Sequence, residues 1–124
     1  MNFSIESKQG LARAGSLTVN NKTINTPAFM TIGTYGSVKT MDTYDLKKCN
    51  VEIILSNAFH LMLRPGTELI EKFGGLHQIM SWDGLILTDS GGYQVFSLGK
   101  DVKITNAGAQ FRSPFNGDKV FMTP

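Results

Sequence analysis

One short stretch of the chain, Asp89-Ser90-Gly91-Gly92-Tyr93-Gln94, gathers the residue types that do polar chemistry. An aspartate accepts hydrogen bonds from a donor edge and can exchange a proton with it. Glycines let a ligand approach backbone amides closely. A tyrosine ring stacks on planar heterocycles, and an amide reads donor and acceptor edges. Each residue also has a plainer reading. Asp89 could cap the helix or turn that follows it, and Tyr93 could pack at the rim of a sheet. Gly91-Gly92 matches neither the P-loop nor the dinucleotide-binding glycine spacing, so phosphate cradling is not indicated. Two further polar groups follow apolar runs: Gly33-Thr34-Tyr35-Gly36, and Ser56-Asn57 with Phe59-His60. His60 has the chemistry of a general base, but a lone histidine between apolar neighbours is more often a hydrogen-bonded structural residue. Cys49 reads as a small buried or half-buried side chain at a helix end. With His60 and His77 it falls short of a disulfide framework or a four-ligand zinc site.

These groups need a scaffold that brings them together. The runs AFMTI, EIILS and LILT lack polar alternation and suit strands buried on both faces, as in a parallel sheet. Between them lie helical segments with recognisable ends. In TMDTYDLKKCN, Asp42 is a candidate N-cap with Asp45 three residues on, and Asn50 is a C-terminal stop. In RPGTELIEKFGG, Pro65 and Gly66 open the segment, Leu69, Ile70 and Phe73 form an apolar face, and Gly74 ends it. A shorter turn around LHQIM leads to Trp82-Asp83-Gly84, a tight-turn signal before the third run. The order β-α-β-α-β makes a parallel sheet covered by helices, an α/β fold. Its polar groups fall at the carboxyl ends of the strands, where such folds keep their sites.

The flanks read differently. Residues 1–26 alternate polar and apolar positions between turn signals and predict two or three antiparallel strands. Residues 99–124 carry turns at Asn106–Gly108 and Asn116-Gly117-Asp118 around VKIT, AQFRS and KVFMT, an antiparallel β excursion after the third strand. The expected division is therefore 1–26, 27–98 and 99–124 within a single domain.

Composition bounds the function without naming it. The 124 residues are 41% hydrophobic, which excludes disorder by composition. The net charge is +2, and no run of like charge marks an RNA-binding stripe. No apolar run approaches the roughly 18 residues of a membrane span, and MNFSIESKQG lacks the regions of a signal peptide, so the expectation is a cytoplasmic protein with no membrane partner.

Longer words are more specific than any of these signals. TPAFMTIGTYGSVKT (26–40), NAFHLMLRPG (57–66), GGLHQIMSWDG (74–84), LTDSGGYQVFSLG (87–99) and FRSPFNGDKVFMTP (111–124) closely resemble, in order, the N-terminal third of bacterial tRNA-guanine transglycosylases. The resemblance implies the first part of a (β/α)8 TIM barrel preceded by a small antiparallel sheet. It also implies exchange of the guanine at the tRNA wobble position for 7-aminomethyl-7-deazaguanine, in queuosine biosynthesis. The family mechanism is a double displacement through a covalent intermediate on an aspartate. By the DSGG word, Asp89 corresponds to the residue that recognises the base and acts as general acid/base. Ser90, Gly91 and Gly92 fall in the base-contacting loop, and Tyr93 matches the stacking aromatic. Gln94 and Asn57 match polar pocket positions from which an amide could hold Asp89 before substrate arrives, and Leu55 borders the ribose. Ala58 stands where the family usually has Thr, and Leu85 where it has Pro.

The partners implied are tRNA and a guanine or 7-deazaguanine base, with a homodimer at full length. No cofactor is expected in this chain, although a zinc ion is expected of the full-length family enzyme. The nucleophile, the zinc ligands and the RNA-contacting loops correspond to no residue here. Since a closed barrel takes about 250 residues, these 124 alone are expected to be inactive. The competing expectation is a non-catalytic remnant or a subunit-like binding module of the same fold.

Overall fold

The computed structural model describes residues 1–124, apart from the side chain of Lys100. Three three-stranded sheets follow one another along the chain. The first is antiparallel, from β1 (Asn2–Gln9), β2 (Ala12–Val19) and β3 (Lys22–Thr26). The second is parallel, from β4 (Thr31–Ile32), β5 (Ile53–Ser56) and β6 (Leu85–Thr88), with β5 in the centre. The third is antiparallel, from β7 (Lys103–Thr105), β8 (Gly108–Arg112) and β9 (Lys119–Met122). Helix α1 (Thr43–Lys48) joins β4 to β5; α2 (Ala58–Leu63), α3 (Thr67–Lys72) and α4 (Leu76–Met80) join β5 to β6; α5 (Gly92–Ser97) follows β6. The fold is thus mixed α/β with small antiparallel sheets on either side of a parallel one.

The helix ends follow from local chemistry. Asp42 Oδ1 accepts from the Asp45 N–H at 2.8 Å, so the cap read from the sequence forms. Asn50 takes the left-handed conformation (φ 54°) and ends α1. Its N–H reaches the Lys47 carbonyl and the Val51 N–H reaches Leu46, each at 3.0 Å, the paired bonds of a Schellman close. Gly74 (φ 85°) ends α3 by the same pattern, with Gly74 N–H on Glu71 and Gly75 N–H on Ile70, both at 2.9 Å. Gly84 is required for another reason. The Trp82 indole folds over it and donates to the Leu85 carbonyl at 3.1 Å, and a Cβ at Gly84 would stand 2.3 Å from the ring.

Several expectations need correction. AFMTI is not a five-residue strand: only Thr31–Ile32 pair, and Phe29 is 82% exposed. β5 is only four residues long, and Ala28–Met30 serve as the crossing from the first sheet to the second. LILT is a strand but not buried on both faces, since β6 is an edge strand and Leu87 and Thr88 are exposed. The apolar face of α3 also lies open, with Leu69 and Phe73 exposed and no buried residue in the helix. Finally, α2, a helix not among those expected from the sequence, starts one residue after β5.

The core is divided in three. Leu46, Ile54, Met80 and Trp82 pack α1 and α4 onto the parallel sheet. Ile24, Ile53 and Leu85 join the first sheet to the start of β5 and β6. Phe59, Val95 and Phe111 join α2, α5 and the third sheet.

Removing the α1 cap with Asp42→Ala should lower the unfolding free energy by about 1 kcal/mol in urea titrations. A second expectation concerns the exposed pair Lys47–Asp83, 2.9 Å apart, which links α1 to the turn before β6. The hydrogen bond from Lys47 holds the Asp83 carboxyl below its ordinary 3.8. A depressed folded-state value means that the pair's small contribution is complete above the unfolded value and is lost as pH falls below about 4. Lys47→Ala should return the Asp83 titration, followed by carboxyl carbon NMR, toward 3.8.

Candidate active site

The ends of the three parallel strands are tied together by their own backbones. Gly33 N–H bonds the Leu55 carbonyl at 2.7 Å, Asn57 N–H the Thr34 carbonyl at 3.4 Å, and Asp89 N–H the Ser56 carbonyl at 3.2 Å. Each bond continues the ladder past the last strand residue, so the polar groups noted in the sequence become neighbours. Leu55, half-buried, is the next-to-last residue of the central strand beside them.

Asp89 is the organising side chain. It is half-buried and turns toward α2 rather than toward the helix that follows it. Its Oδ1 accepts from the Ala58 backbone N–H at 2.9 Å, and its Oδ2 from the Asn57 side-chain amide at 2.5 Å. The capping reading is therefore corrected in its target: Asp89 supports the start of α2, across the strand, while Gly91 takes the N-cap position of α5. Asn57 occupies the N-cap position of α2 but makes no cap bond with its side chain, which is directed to Asp89 instead. The first-turn N–H groups of a helix need acceptors, and a carboxylate among them is favoured by the helix dipole. Ala58 bonds through its backbone, so the hydroxyl of the Thr that the resemblance implies there is not required for this contact.

The glycine turn fits tightly. Gly91 is buried at φ 69°, and a Cβ there would lie 2.8 Å from Met122 Cε and 3.0 Å from Phe59 Cβ. Ser90 Oγ accepts from the Gly92 N–H at 3.3 Å and shapes the same turn. Tyr93 does not pack at a rim: its ring is 78% exposed on the first turn of α5. Gln94 is half-buried, and its Oε1 is sequestered without a hydrogen-bond partner among the described residues. Two other expectations are revised. His60 is not held by hydrogen bonds at Nδ1, which is buried and unpartnered; its ring sits edge-on to Tyr35 and Phe59, with centroids 5.2 and 5.4 Å away. Cys49 is exposed, because the α1 end is buried through Leu46 and Val51 instead.

Sequence reasoning missed the Ala58 N–H and the Phe59–Phe111 stack beneath the site. Backbone donors carry no sequence label. The available signal was Asn57, a strong N-cap type, ahead of a six-residue run with four good helix formers (Ala58, Leu61, Met62 and Leu63) and a proline beyond it.

The family model described as queuine tRNA-ribosyltransferase matches residues 7–124. The chain belongs to that family. It is 57% identical along its whole length to a queuine tRNA-ribosyltransferase of Herminiimonas arsenicoxydans, covering 33% of that protein. The corresponding figures are 56% and 34% for the protein of that name in Nitrosospira multiformis, and 53% and 33% for one in Neisseria gonorrhoeae. The chain thus spans about a third of the length of the curated queuine tRNA-ribosyltransferases it matches. Among the described residues no three His, Cys, Asp or Glu side chains stand together as a metal site. The residues here therefore do not make up the four-ligand zinc site that the resemblance implies for the full-length enzyme. Among the described residues no helix is long and apolar enough to cross a membrane.

Because Asp89 holds the start of α2, Asp89→Ala should lower the unfolding free energy by about 1.5–3 kcal/mol, the range for hydrogen bonds to a charged group. Equilibrium denaturation measures this. An unchanged midpoint would mean the two contacts contribute nothing.

Proposed function

We propose that this chain forms the base-recognition and acid/base half of a tRNA-guanine transglycosylase. The full-length protein exchanges the wobble guanine of tRNA for 7-aminomethyl-7-deazaguanine in queuosine biosynthesis. The parallel sheet is the first part of a TIM barrel, with residues 1–26 and 99–124 as its antiparallel flanks. Full-length protein works in the cytoplasm as a homodimer.

The observation that carries this reading is the Asp89 carboxylate gripped at the strand ends by Asn57 and Ala58, with an exposed Tyr93 ring four residues on. An ionised carboxylate offers about four acceptor positions. Two are used here, which leaves two for the N1–H and exocyclic amine of a guanine. Tyr93 is free to stack on the base. Ser90, Gly91 and Gly92 bring backbone close to its edge, Gln94 supplies an amide, and Leu55 borders the ribose. When guanine leaves with the glycosidic electron pair it needs a proton, and the incoming base must lose one. Asp89 relays both: it takes up a proton from solvent and passes it to the departing base, and, ionised again, it accepts the proton that the incoming base loses. The nucleophile that attacks C1′ is not among these residues.

Full-length protein should incorporate labelled guanine into tRNA, and Asp89→Ala should reduce that exchange at least about 100-fold. Exchange retained in the variant would sink the role of Asp89. Tyr93→Ala should weaken base binding by about 1–3 kcal/mol, the scale of base–aromatic stacking, whereas Tyr93→Phe should be nearly neutral. The 124 residues alone should exchange nothing. Stoichiometric base binding without turnover by the full-length protein would favour a non-catalytic module.

A further inference from the structure

We infer that Phe111, on the third sheet, is a positioning residue for the Asp89 carboxylate, and that the antiparallel excursion exists to hold the base-recognition site in shape. This rests on the reading of Asp89 given above.

The path from Phe111 to the carboxylate has two contacts. Phe111 is 2% exposed and stacks on Phe59, itself 3% exposed, with centroids 5.3 Å apart and planes at 26°. Phe59 is the second residue of α2, directly after Ala58, whose N–H holds Asp89 Oδ1. Through its backbone and Cβ, Phe59 also meets the far end of the Asp89 loop. Gly91 lies against the Phe59 backbone and Cβ, with Met122 of β9 closing the gap. Phe59 is therefore wedged between the two features that set the carboxylate: the helix start that binds it and the turn that carries it. Val95 of α5 belongs to the same cluster, so the helix bearing Tyr93 and Gln94 is keyed to the same ring.

The elements held this way cannot fix themselves. α2 and α5 have six residues each, far below the roughly 12–15 at which a helix begins to hold itself in water. A stack at near-native packing density transmits a shift rather than absorbing it. Losing the ring at 111 lets Phe59 settle toward the third sheet and draws Ala58 N–H away from Asp89.

Phe111→Ala leaves a large void and risks misfolding, so Phe111→Leu, which keeps most of the volume without the ring plane, is the main variant, with Met122→Ala as the second. Two readouts in full-length protein separate positioning from bulk stability. The first is the amide resonance of Ala58 in 15N-alanine-labelled protein. In folded Phe111→Leu it should move most of the way to its position in Asp89→Ala, while the Ala14 resonance in the first sheet stays put. An unmoved Ala58 amide in folded Phe111→Leu and Met122→Ala would overturn the proposal. The second is the affinity for free guanine. Phe111→Leu should weaken it about tenfold in the wild-type background and not further in Asp89→Asn, because the ring acts through that carboxylate. Equal weakening in both backgrounds would also overturn it. Should Asp89→Asn leave guanine affinity unchanged, the base-recognition reading fails, and the Ala58 resonance alone still decides whether Phe111 positions the carboxylate.

Discussion

The structure turns on one electrostatic clasp: a half-buried carboxylate at the end of β6 accepting from a backbone N–H and a side-chain amide at the start of α2. Partly removing a carboxylate from water is costly unless hydrogen bonds replace the lost hydration. The start of a short helix supplies donors that themselves lack partners. Each side solves the other's problem. Asn57 illustrates how strongly the pairing is favoured, since it stands where it could cap its own helix and instead directs its amide to Asp89. The clasp also joins two neighbouring parallel strands beyond the last ladder bond, so α2 and the glycine turn are set by the sheet as well as by their own sequences.

The antiparallel flanks are explained by what the parallel sheet lacks. Three strands, one of them two residues long, bury little by themselves. At the amino ends of the strands, Ile24 packs with Ile53 and Leu85 and seats the first sheet there. On the carboxyl side Phe111 seats the third sheet under α2 and α5. The cation–π contact of Arg64 with Phe115, 4.7 Å from guanidinium to ring, ties the far end of α2 to the β8–β9 loop. Thus α2 is held at its start by Asp89, in its first turn by Phe111 and at its end by Phe115.

Legibility in the sequence followed the range of the determining interaction. The α1 cap at Asp42, the stops at Asn50 and Gly74, and the β turns of the third sheet depend on residues within a few positions, and all were readable. The extents of β4 and β5 were overestimated because strand length is set by the partner, and a run of apolar letters does not say how many residues lie opposite. Leu69, Phe73 and Leu87 read as core by type, yet lie exposed among the described residues. At the candidate site, side-chain identities were legible from the DSGG word and its resemblance. The direction of Asp89 was not, because its partner is a main-chain donor 31 residues away.

That direction bears on how one carboxylate can serve both architecture and recognition. If binding a base required Asp89 to release Ala58 and Asn57, every substrate would have to unfasten α2, and α2 is too short to stay formed unaided. The arrangement avoids this. Both present bonds come from the α2 side, one to each oxygen, so each oxygen keeps an acceptor position for a ligand. In the function proposed above, the two planar donors of a guanine edge would meet two oxygens already held in place by the start of α2. Part of the entropy of ordering the carboxylate is then lost on folding rather than on binding, which is the physical content of preorganisation. Tyr93 lacks such support, its side chain being 78% exposed. In the proposed function, orientation of the base accordingly rests on Asp89, and Tyr93 contributes contact area.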